Sequence, residues 1–149
     1  MGVFFRTVAL PCLLAAATGL AVPATGLAQE RWVADETQAR ASLPTPSGTT
    51  AILAASMVCT GSIWSFELDL DPQTNAPEGA ALMVVDANEF ETEASASPGR
   101  IELQVPMEAL EPLKRGLRLS FTFDGEDGAL GQPQFSLAGS RVAITAMED

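Results

Sequence analysis

Leu117-Arg118-Leu119-Ser120-Phe121-Thr122-Phe123-Asp124 is the stretch on which the fold of this chain turns. Leu117, Leu119, Phe121 and Phe123 fall on one side of an extended backbone, and Arg118, Ser120, Thr122 and Asp124 on the other. Successive side chains of a strand alternate between faces, so the run predicts a half-buried strand. Taking its four apolar side chains out of water would contribute on the order of 6–12 kcal/mol, an upper bound because an unfolded chain is already partly collapsed. A second run repeats the pattern. Trp64, Phe66, Leu68 and Leu70 alternate with Ser65, Glu67, Asp69 and Asp71.

Working outward, Ala51 to Cys59 precedes Ser62 to Asp71 across Thr60-Gly61, the spacing of a tight hairpin. Upstream, Trp32 to Ala34 and Gln38 to Leu43 read as a small hairpin around Asp35-Glu36-Thr37, and Pro44 to Thr50 as a loop. Downstream of a loop from Pro72 to Gly79, Ala80 to Asp86 forms an apolar strand. Glu89 to Ala94 is its weaker partner beyond an Ala87-Asn88 turn, and Ser95 to Gly99 reads as a loop. Ile101, Leu103 and Val105 alternate again. Pro106 to Arg115 changes period and predicts one or two helical turns, with Lys114 and Arg115 at the negative end of the dipole before Gly116. Pro112 has no backbone donor, so one continuous straight helix is not expected there. Gly125 to Gly128 supplies a turn, Phe135 and Leu137 begin a last strand, and Arg141 to Met147 reads as a short helix. The expected fold is mostly β: a small antiparallel β-sandwich or curled sheet of about nine short strands with one or two short helices.

The first 28 residues read as a secretory signal. Arg6 is their only charge, an uncharged run follows from Thr7 to Val22, and Gly26 and Ala28 provide a small-x-small exit before Gln29. Pro11 and Gly19 interrupt the run, which is shorter than the ~20 apolar residues of a bilayer span. No stable membrane anchor is expected after cleavage. A single domain over 29–149 is expected, in the periplasm or outside the cell.

That domain contains all 19 acidic residues and 7 of the 8 basic ones. Its net charge of −12 repels nucleic acid and attracts cationic partners or divalent ions, and it also serves plain solubility. With Cys12 removed, Cys59 has no partner for an internal disulfide, and its place at the end of an apolar run predicts burial.

The chain has no His and no Tyr, which excludes His-activated Ser or Cys nucleophiles and His-ligated zinc. Lys114 is its only Lys, and no Gly-rich phosphate loop occurs. Carboxylates remain. Glu67, Asp69 and Asp71 could serve a two-carboxylate hydrolase, but on the polar face of a strand they equally form a solvated row. Asp69 to Asn75 and Asp124 to Gly128 place acids near turns without the spacing of an EF-hand. No catalytic residue, metal or cofactor is therefore expected. The residues singled out for an interaction are Trp32, as an exposed anchor or a core residue, and Lys114, Arg115 and Arg118, as a cationic spot on an acidic body or as helix-end charge.

The order of Trp32, Val58-Cys59 before Thr60-Gly61, Val84-Val85-Asp86, Leu113 with Gly116-Leu117-Arg118-Leu119, and Phe135-Ser-Leu-Ala-Gly139 resembles small exported bacterial envelope proteins related to type VI secretion-associated accessory proteins. These are packing and turn residues, so the resemblance implies a fold and an envelope setting and brings no catalytic residues. Members often carry a second Cys near the C-terminus, whereas this chain ends Ala146-Met147-Glu148-Asp149. The expectation is a non-catalytic exported domain that binds an as yet unidentified protein as an envelope or secretion accessory. The alternatives are an acidic inhibitor of a cationic exported enzyme, a small-ligand binder, or a carboxylate-dependent hydrolase.

Overall fold

A computed structural model describes residues 30–124 and 130–149. The signal segment and the Gly125–Gly128 turn lie outside the described residues. Nine strands form one antiparallel sheet: β1 Val33–Asp35, β2 Arg40–Ser42, β3 Ile52–Thr60, β4 Ile63–Leu70, β5 Gly79–Val85, β6 Asn88–Ser97, β7 Arg100–Gln104, β8 Arg118–Phe123 and β9 Gln134–Ser136. Their spatial order is β1-β2-β3-β4-β7-β6-β5-β8-β9. Two helices complete the fold, α1 Leu110–Arg115 and α2 Ser140–Glu148. Of the two architectures expected, the curled sheet is the one formed.

The sheet curls until its edges meet. Trp32, just before β1, donates its backbone N–H to the Ala138 carbonyl at 2.9 Å and its indole N–H to the Ser136 carbonyl at 2.9 Å. The loop between β2 and β3 bridges the same edge, with Ser47 and Gln134 exchanging two hydrogen bonds of 2.9 Å. Only glycine fits beside that bridge. A Cβ on Gly48, whose φ is +77°, would stand 2.2 Å from the Gln132 carbonyl oxygen.

The alternating strands deliver their apolar faces inward. Phe66, Leu68, Met83, Ile101, Leu103, Leu119 and Phe135 are fully buried. Edge-to-face aromatic contacts run from Trp32 to Phe66 (6.2 Å), to Phe121 (5.4 Å) and on to Phe135 (6.0 Å), the geometry that ring quadrupoles favour. Helix α2 lies over β1 and β2 and packs against α1. The buried Ser140 hydroxyl donates to the Leu113 carbonyl at 2.7 Å, joining the two helices.

Three local expectations are revised. Leu117 is 81% exposed rather than part of the buried row. The Asp86 carboxylate accepts both the Leu117 and the Arg118 N–H, at 3.0–3.2 Å. Two consecutive amides aimed at one group break the strand's alternation just before β8 begins. The β5–β6 turn is Asp86-Ala87 rather than Ala87-Asn88, because Asp86 takes the left-handed conformation (φ 53°) that a two-residue hairpin needs. Ser95 to Ser97 continue β6, pairing with Glu102, Ile101 and Arg100, so the loop there shrinks to Pro98-Gly99. As expected, Pro106 to Arg115 is not one straight helix: it splits into a 3-10 turn at Met107–Ala109 and α1, which puts Pro112 in the first turn of α1, where its missing donor costs nothing.

Candidate functional site

Trp32 is not a surface anchor. It is 5% exposed, and both of its N–H groups are engaged across the sheet junction. Burial of so large a side chain, with its one polar atom satisfied, makes it a core residue.

The cationic spot also divides. The Lys114 side chain is only 13% exposed, and its Nζ sits 2.7 Å from Glu148 Oε1 and 3.4 Å from Glu111 Oε1. Its hydrogen bond to Glu148 raises the Lys114 pKa, outweighing the opposing effect of burial, with Glu111 adding to the rise. Lys114 therefore ties α1 to the end of α2. Arg115 is exposed and lies 3.4 Å from Glu111, while Arg118 is exposed on the outer side of β8. Lys114 and Arg115 share Glu111.

The carboxylates of β4 are held by arginines. Arg40, on β2, donates to Ser56 Oγ at 2.6 Å and to Glu67 Oε2 at 2.7 Å. Arg100, on β7, lies 3.4 Å from Glu67 and donates to Asp69 at 2.9 Å. The bond it donates to Asp69, followed by the charges of Asp69 and Glu67, raises the Arg100 pKa. Asp69 and Arg100 are register partners, a pairing that becomes visible only once strand order is known. Asp71 closes a local turn by accepting the Gln73 N–H at 2.9 Å. Among the described residues no group of three or more acids and thiols converges as metal ligands would.

Cys59 is half-buried rather than buried, with its Sγ donating to the Gly61 carbonyl at 3.3 Å. Burial, then the charge of Glu148, pushes the thiol pKa up.

The feature that the sequence did not single out is on β6. Glu89, Glu91 and Glu93 alternate with half-buried Phe90 and Thr92 and with buried Ala94, so the three acids line the outer face, and Glu102 of β7 stands beside Ser95 on that same face. All four are exposed, and among the described residues no ion pair reaches any of them. A groove of about 400 Å³ runs between this strand and the exposed Met107, lined by Glu91, Thr92, Glu93, Pro106 and Met107. The signal was present in Asn88-Glu-Phe-Glu-Thr-Glu-Ala94, whose alternation matches that of β8 with charge in place of hydroxyl groups.

No helix among the described residues is long and apolar enough to cross a membrane. No protein-family description matches the chain, and no curated protein does. Among solved structures, invasion associated protein b from Bartonella henselae superposes with a TM-score of 0.52 at 15% identity, over 73% of this chain and 82% of that one. The chain shares its fold with that bacterial protein.

Proposed function

We propose that this chain is a non-catalytic, exported binding domain of the bacterial envelope, which captures a cationic protein through its acidic sheet face. The observation that carries this reading is the row Glu89, Glu91, Glu93 and Glu102, none of which makes an ion pair among the described residues. Other carboxylates of the sheet are spent on arginines that hold strands together, whereas of these four only Glu102 feels one, the nearby charge of Arg100. A row of like charges destabilises the fold that displays it, and a cationic partner relieves that repulsion and is steered toward it. The leader-like N-terminus supports export, to the periplasm or beyond the cell. The shared fold with an invasion associated protein fits an envelope setting. An accessory role in type VI secretion is the finer form of the proposal and rests on the order of packing residues from Trp32 to Gly139.

A pull-down from envelope extract at low and high ionic strength tests the reading. A basic protein recovered at low salt and released at high salt is the expected result. Recovery of no specific protein at either ionic strength would overturn it. The inhibitor alternative shares the acidic face and predicts that the captured protein is an enzyme whose activity falls on binding.

A further inference from the structure

We propose that the unpaired outer edge of β6, from Asn88 to Glu91, takes up an extended basic segment of the partner as an additional strand. This rests on the protein-binding reading above and adds the surface and the form of the ligand. Strand β7 pairs with β6 only over Ala94 to Ser97, while β5 pairs with it from Ala94 back to Asn88. Thr92 still reaches β7, its hydroxyl donating to the Gln104 carbonyl at 2.5 Å, so the stretch with a neighbour on one side only runs from Asn88 to Glu91.

Which backbone groups are left over follows from the turn. A two-residue hairpin makes Val85 and Asn88 a hydrogen-bonded pair, so Asn88, Phe90 and Thr92 point their amides and carbonyls at β5. Glu89 and Glu91 point theirs the other way. Among the described residues no hydrogen bond reaches those outward groups. The chain that would have covered them turns off at Val105, whose N–H goes to Trp64, and Pro106 and Met107 instead wall the groove beside the edge.

An open edge admits any extended chain, and the side chains decide which. On the outer face an added strand meets Glu89, Glu91 and Glu93; on the inner side it meets half-buried Phe90 and the exposed side chain of Met107. Opposite charges directly across a strand pair stabilise it, and like charges oppose it. A second copy pairing by the same edge sets glutamates against glutamates. The fitting occupant is a segment that alternates basic and apolar residues.

The test uses a synthetic peptide alternating lysine and valine over about eight residues, titrated into the exported protein by calorimetry, with amide exchange followed in parallel. Binding that weakens with salt, together with slowed exchange at the Glu89 and Glu91 amides, is expected. Glu91→Pro removes an outward donor but no β5–β6 bond, and should weaken binding about tenfold beyond Glu91→Gln, which removes the charge alone. A peptide N-methylated at alternate positions should lose binding to the unaltered protein in the same way, which covers the case in which the proline variant fails to fold. No binding, or equal binding of the methylated and plain peptides, would refute strand addition. Should the envelope partner be captured equally by the unaltered protein and a folded Glu91→Pro variant, the binding function stands and the edge proposal falls.

Discussion

The indole Nε1 of Trp32 lies 2.9 Å from the carbonyl oxygen of Ser136, joining residues 104 positions apart. With the Trp32 backbone N–H on Ala138, this contact fastens the first edge of the curled sheet to the last. Trp32→Phe keeps the ring contact with Phe66 but drops the bond, and should cost about 1 kcal/mol. Trp32→Ala also empties the junction and should cost about 3–5 kcal/mol, read from urea denaturation.

Asp86 pins the start of β8. Asp86→Ala removes the acceptor for two amides and places a non-glycine residue without a polar side chain at φ 53°, so a loss of about 2–3 kcal/mol is expected. Asp86→Asn retains an acceptor oxygen and tolerates the left-handed conformation, and should cost less than about 1 kcal/mol. Thermal unfolding of the two variants separates the contributions.

Lys114 makes stability fall at alkaline pH. Its pKa is raised in the folded protein, chiefly by Glu148, so its contribution is complete below the ordinary value of 10.5 and disappears as pH climbs through the folded value. Lys114→Met should lower the unfolding midpoint at pH 8, and the gap from the parent protein should narrow once pH passes 10.5. A gap that stays constant with pH would count against the pairing.

The thiol of Cys59 should react sluggishly. Burial and Glu148 hold it protonated, so at pH 8 the folded protein should react with a disulfide reagent about tenfold more slowly than the same chain in denaturant. Glu148→Gln should speed the folded reaction. A folded rate equal to the denatured one would contradict the assignment.

Much of this architecture was legible because alternation is local information. The faces of β4 and the burial of Leu119, Phe121 and Phe123 follow from patterns a few residues long. What escaped depends on strand order. Arg100 could be assigned to Asp69 only after β7 was placed beside β4, and Leu117 turned outward because Asp86, distant in sequence, captured its amide. Lys114 is drawn out of the exposed cationic cluster for the same reason: Glu148 at the chain's end reaches it. The glutamates of β6 had the plain signature of a strand face, yet nothing in the sequence marked them as unopposed.

Joining Trp32 to Ser136 also sets a timetable. A chain emerging N-terminus first cannot fasten its opening residues until β9 and the glycine-flanked bridge at Ser47 have both arrived. Hairpins such as β3–β4 and β5–β6 are free to form earlier, but the final latch waits for almost the whole length, and such distant contacts are slow to find. The final closure of the sheet is therefore the natural late step of folding.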